Sequence, residues 1–253
     1  MAIFNFEDGQ TVNGIWKRNA YYFEGSSFDK CNAHPAGTKY HVHATPVCLF
    51  NDNDSSKHSP IIGFAFDGYP IYGSFGFSNP QNKSSPIKRI IPSFRLRSIT
   101  QRTSLANGTV VSAANYGPAI NASYPLGSLL DDYEYVAGYG DLDSSNGRYG
   151  VTPEYPEGTY AYFMTYDNNG KPAFPYTLGY TYYGCAITLN TISGKITPNE
   201  TTKVLYQYSN VASSTVSTTA NMHVLNFGVF NKQSYFSHIL LSLVLLVFKI
   251  LFI

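Results

Sequence analysis

The sequence predicts a mostly β fold, a sandwich or barrel of short antiparallel strands with long loops, followed by a C-terminal hydrophobic helix. Three observations predict it. Aromatic residues make up 16% of the 253 residues, with 22 Tyr and 17 Phe against a single Trp, and such side chains favour pleated, half-buried surfaces. The 21 Gly and 14 Pro supply turns rather than helices. Short apolar runs punctuated by Gly, Pro and Asn recur over residues 21–208, and few windows carry a helical period. The apolar share of 43% is enough for a core in a chain this long. Charged residues reach only 13%, about half the usual share. A formal net charge of +1 without a basic block lacks the electrostatic footprint of a nucleic-acid binder, so no nucleic-acid partner is expected. The low charge favours a secreted or surface protein over a cytosolic enzyme.

Taken in order, the chain divides into a domain over 1–205, a Ser/Thr-rich stalk and spacer over 206–234, and a hydrophobic tail over 235–253. Residues 1–8 show neither a basic n-region nor a long apolar h-region, so no signal peptide is visible and a truncated start is expected. Cys31 and Cys48 bracket a His-rich segment and are read as a disulfide of an oxidising compartment, the alternative being two buried thiols. Residues 61–66, 159–164 and 203–208 have strand length and composition, and Asp67-Gly68 suits a hairpin turn. The insert over 74–120 carries a basic cluster of Lys88, Arg89, Arg95, Arg97 and Arg102, read as a solvated face. The best helical window lies around 125–136. Asp141 to Gly147 is similar to a calcium loop, yet its Gly falls one place late and no Glu closes it; Asp143 and Asn146 are expected to make Asx-type turn bonds instead. Glycosylation sequons stand at Asn53, Asn82, Asn107, Asn121 and Asn199.

The tail runs apolar from Phe236 to the last residue, with nothing hydrophilic beyond it. A removed GPI-attachment signal, with attachment at Asn226, accounts for that best. A retained membrane helix and a buried core helix are the alternatives. Either of the first two ties the chain to a membrane, on the extracellular side of the cell surface.

The chain also contains a weak duplication. Residues 28–32, the segment Tyr40-His41-Val42-His43 and residues 60–63 find counterparts, in the same order, at 142–146, Tyr160-Ala161-Tyr162-Phe163 and 175–179. Cys31 then faces Ser145 and Cys48 falls near Cys185, leaving Cys185 without a partner.

Four of the six His lie between 34 and 58. On a strand, residues i and i+2 share a face, so His41 and His43 are expected to point together. His34, across a Pro-Gly turn, offers a third ligand, and His58 or Asp67 completes or orients the site. Neutral imidazoles suit zinc, copper, nickel or iron. Two other readings fit the same residues: a buried hydrogen-bonded His cluster, and a metal-free acid/base centre.

At these residues the sequence resembles the YHYH-domain family, named for its Tyr-His-Tyr-His signature. The match runs through residues 28–34, Tyr40-His41-Val42-His43, residues 46–49, residues 58–73, residues 142–163 and Phe174-Pro175-Tyr176, and covers most of 1–190. Val42 stands in place of the second signature Tyr and leaves both His intact; the second copy has no His, so a two-centred metal site is not expected. The resemblance implies a domain that begins before this chain does, and it carries over no biochemical activity. The expected function is a membrane-tethered extracellular YHYH-domain protein binding a transition metal through its His cluster. A metal-free binding or adhesion module using a Tyr-rich surface is the first alternative. A hydrolase using the cluster with Asp29 or Asp67 is the second.

Overall fold

A computed structural model describes residues 1–50, 52–167 and 169–185, together with the backbone of Asn190–Ile192 and Lys195–Thr197. The apolar tail, the stalk, the strand expected over 203–208, Asn199 and Asn226 lie outside the described residues. Among those described, no helix is long and apolar enough to cross a membrane.

Strands dominate. In chain order they are β1 (Ala2–Ile3), β2 (Glu7–Val12), β3 (Trp16–Asn19), β4 (Ala33–Ala36), β5 (Lys39–Val42), β6 (Ile61–Phe64), β7 (Pro70–Tyr72), β8 (Phe75–Phe77), β9 (Ile87–Arg89), β10 (Phe94–Leu96), β11 (Tyr133–Tyr135), β12 (Gly147–Gly150), β13 (Thr159–Phe163), β14 (Asn190–Ile192) and β15 (Lys195–Thr197). One four-residue helix, α1 (Ala20–Phe23), follows β3 and is capped by the Asn19 side chain. The strands form small sheets: β1-β5-β4, β12-β13-β7-β6, and the two-stranded pairs β2-β3, β8-β9, β10-β11 and β14-β15.

Three expectations need correction. No closed barrel forms among the described residues, because strands of two to six residues interrupted by turns cannot sustain the continuous staggered ladder that closure requires. Nor is the pairing purely antiparallel. β1 runs parallel to β5 and β7 parallel to β13, each pair joined by a long connection that leaves the sheet and returns. The helical window over 125–136 folds instead as a 3-10 turn at Leu130–Asp132 running into β11. The Asp132 carboxylate accepts from the backbone N–H groups of Gly127 and Leu129 and thereby tightens the chain into that turn.

Two turns share one pattern of hydrogen bonds. Asp29 Oδ1 accepts from the N–H of Cys31 and Ala33 at 2.8 and 3.2 Å. Asp143 Oδ1 accepts from Ser145 and Gly147 at 2.9 and 3.2 Å. Each turn closes on an Asn in the left-handed region, Asn32 at φ 59° and Asn146 at φ 64°, a conformation Asn tolerates. Each then launches a hairpin, β4–β5 or β12–β13, whose Tyr returns a hydroxyl to the turn carboxylate: Tyr40 to Asp29, Tyr160 to Asp143. The parallel neighbour keeps the same register in both, with Ile3 opposite Val42 and Ile71 opposite Tyr162. A second hairpin follows each of these neighbours, β2–β3 after β1 and β8–β9 after β7. In this register His34, His41 and His43 correspond to Arg148, Ala161 and Phe163.

Aromatic side chains fill the core. Phe6, Phe94, Phe174 and Tyr176 pack with Leu130 on one side, and Tyr160, Tyr162 and Tyr166 with Ile71 and Met164 on the other. The basic cluster is not uniformly solvated. Arg102 is fully buried and clamps Asp132 with two hydrogen bonds, its remaining donors on the carbonyls of Pro118, Tyr124 and Pro125. Lys88, Arg89 and Arg95 pair with Asp141, Asp52 and Glu134.

Candidate metal centre

The hairpin β4–β5 builds the site. Its register sets His34 directly opposite His41, and strand alternation returns His43 to the face of His41. All three rings are buried. His34 Nε2 lies 3.1 Å from His41 Nε2, which lies 2.8 Å from His43 Nε2. The three residues can each offer one ligand atom within 4.8 Å of the others. The expected convergence of His34, His41 and His43 is therefore present.

The other ring nitrogens decide what those Nε2 atoms carry. His41 Nδ1 lies 3.0 Å from the Lys39 carbonyl and His43 Nδ1 lies 2.6 Å from the Asn5 carbonyl. A carbonyl only accepts, so both Nδ1 atoms hold the proton. Ser27 Oγ donates to the Glu24 carbonyl at 2.6 Å and so accepts from His34 Nδ1 at 2.8 Å. In the neutral rings all three Nε2 atoms then present bare lone pairs to one another. Close contacts of this kind are hydrogen bonds only if a proton sits between, and a single extra proton can bridge only one of them. A cation at the shared point satisfies all three.

Glu24 was not among the residues singled out by pattern. Its Oε2 lies 3.1 Å from His43 Nε2 and 3.6 Å from His34 Nε2, and it is buried without a hydrogen-bond partner. Burial pushes the Glu24 carboxyl above its ordinary value and the His43 imidazole below its own. The wall around the donors is aromatic: Phe4 stacks on His41 at 4.1 Å and Phe28 meets His34 edge-on at 4.9 Å. Three imidazoles and a carboxylate form a donor set suited to zinc, copper, nickel or iron.

The remaining expected residues lie elsewhere. His58 does not join the cluster: it packs among Tyr72, Phe77 and Phe163 in the second half, donates from Nδ1 to the Ser59 carbonyl and leaves Nε2 buried without a partner. The irregular stretch 58–60 carries the chain straight into β6, which pairs with β7 rather than with β5. Asp67 is buried at the Asp67-Gly68 hairpin turn and accepts from the Tyr162 hydroxyl and the Gly184 N–H. Asp29 serves its own turn. Neither carboxylate bonds an imidazole of the cluster, so neither completes an acid/base pair with it. Cys31 and Cys48 form a disulfide, and Cys185 is free and exposed. Asn53, Asn82, Asn107 and Asn121 are all exposed. Away from the histidines, Phe94, Tyr133, Tyr135 and Tyr180 line a cavity of about 400 Å³ with Asp131 and Asn107.

Comparison with known families bears directly on the hairpin. The family model for YHYH protein matches residues 2–178. The chain belongs to that family. The YHYH match contains every donor of the cluster, both hairpins β4–β5 and β12–β13, and the disulfide. No curated protein and no solved structure matches the chain, so the YHYH assignment brings no function with it and the chemistry rests on the donors themselves.

Proposed function

We propose that this YHYH domain binds a divalent transition metal through His34, His41 and His43, and that it does so on the outside of a cell, tethered to the membrane by its C-terminal tail. The observation that carries the metal is the tautomer pattern: three Nδ1–H groups held by oxygen acceptors, three Nε2 lone pairs aimed at one another. Imidazoles oriented by a hydrogen bond at the far nitrogen are the usual arrangement around a bound metal. Tetrahedral zinc with bonds of about 2.0–2.1 Å sets its donors roughly 3.3 Å apart; His41 Nε2 stands 3.1 and 2.8 Å from the other two imidazole nitrogens, Glu24 Oε2 stands 3.1 and 3.6 Å from His43 and His34, and the donor atoms of the three histidines lie within 4.8 Å of one another. The location is supported by the disulfide, which persists in oxidising compartments, by the exposed sequons, and by the apolar chain end.

Metal analysis of the full chain, expressed through a secretory pathway and purified without chelators, tests the proposal. About one metal ion per chain is expected, lost in His41→Ala and in His43→Ala. A folded, metal-free protein whose melting temperature is indifferent both to chelator and to added zinc, copper, nickel or iron would overturn it.

A further inference from the structure

We infer that Glu24 is the fourth protein ligand of this centre and that its carboxylate occupies the position an exogenous ligand would otherwise take. The inference rests on the metal reading above and specifies what that centre can do. Glu24 Oε2 stands 3.1 Å from His43 Nε2 and 3.6 Å from His34 Nε2, while His41 Nε2 stands 2.8 and 3.1 Å from the same two nitrogens, so Glu24 and His41 both border the His34–His43 pair. Among the described residues no Lys or Arg forms an ion pair with the carboxylate, although the charge of Arg18 acts on it through space. Arg18, the nearest candidate, has its Nε on Asp8 at 2.8 Å, Nη1 on Gln10 and its guanidinium over the Phe23 ring. Among the described residues the ion-pair partners of Oε2 are His34 and His43, whose facing nitrogens carry no proton in the neutral rings.

The backbone also delivers Glu24 to the site together with a ligand. It caps the C-terminal end of α1 through its N–H to the Ala20 carbonyl. Its own carbonyl accepts the Ser27 hydroxyl, and Ser27 in turn orients His34. One short segment thus places one donor directly and aligns another.

Four protein donors close a tetrahedral site, and a closed site holds its metal without presenting a water to substrate; catalytic sites keep one position open. The Glu24 side chain is 27% exposed, so solvent stands behind the carboxylate and would enter if it were removed.

The test uses the full-length secreted protein loaded with Co(II), whose visible absorption reports coordination number, titrated with azide. The wild type is expected to show a four-coordinate spectrum unmoved by azide. Glu24→Ala is expected to hold Co(II) at least about ten-fold more weakly and to change its spectrum as azide binds. Azide uptake by the wild type overturns the inference without reference to any variant. So does a Glu24→Ala protein with wild-type affinity and spectrum, and in that outcome the three-histidine site stands. Folded wild type that takes up no Co(II) removes the His-cluster centre itself, and this inference with it.

Discussion

Asp132 shows how much can rest on one side chain. Its carboxylate accepts from the N–H groups of Gly127 and Leu129 and from two nitrogens of the fully buried Arg102. Removing one member of such a pair strands the other charge away from water. Asp132→Ala is therefore expected to lower unfolding free energy by about 3–5 kcal/mol, measurable by urea denaturation, while Arg95→Ala at an exposed pair should cost less than about 1 kcal/mol. Equal costs would contradict this account. Arg102 illustrates what residue identity alone conceals: a guanidinium in a polar, basic stretch reads as solvated, and only the partner 30 positions away shows that it is a buried clamp. Glu24 is concealed for a similar reason. His41 and His43 announce themselves because strand alternation is periodic, whereas Glu24 arrives through a helix end and a 3-10 turn that no spacing rule encodes. His58 errs the other way, since nearness in sequence suggests membership that the run into β6 denies.

At the scale of elements, the strand that carries His41 and His43 was legible from its alternating side chains, and His34 from its place across a Pro-Gly turn, and the shared face followed. The hairpin around Asp67-Gly68 and the Asx turn at Asp143 were legible for the same local reasons. The parallel partners β1 and β7 were not, because a short apolar strand looks alike in either direction and the pairing is chosen by distant packing. The disulfide ties the two arms of the histidine hairpin: Cys31 precedes β4 and Cys48 follows β5, 17 residues apart. Closing a loop of that size removes conformations mainly from the unfolded chain and is worth roughly 3 kcal/mol. Cys31→Ser/Cys48→Ser should accordingly melt lower and bind metal more weakly, because the ligands it releases must be ordered by the metal alone. Calorimetry with a metal titration reads both quantities; an unchanged affinity would show that the hairpin is set without its bridge.

At the scale of the whole molecule, the hairpins β4–β5 and β12–β13 share one pattern of turn and register and meet the same electrostatic problem differently. Where the first presents His34, the second presents Arg148. The Arg148 guanidinium lies over the ring of Phe163, the counterpart of His43, at 5.3 Å, and donates to the Phe77 carbonyl at 2.6 Å. One hairpin therefore carries a positive centre on its own chain, and under the metal binding proposed above the other takes its own from the surroundings. Deuterium uptake should divide along that line when a chelator is added: amides of β4 and β5 exchange faster, those of β12 and β13 do not. Uniform change across both hairpins would mean that the halves share a single cooperative fate. A protein so arranged would sense scarcity on one side only, with a self-sufficient flank keeping the fold assembled while its twin waits to be supplied.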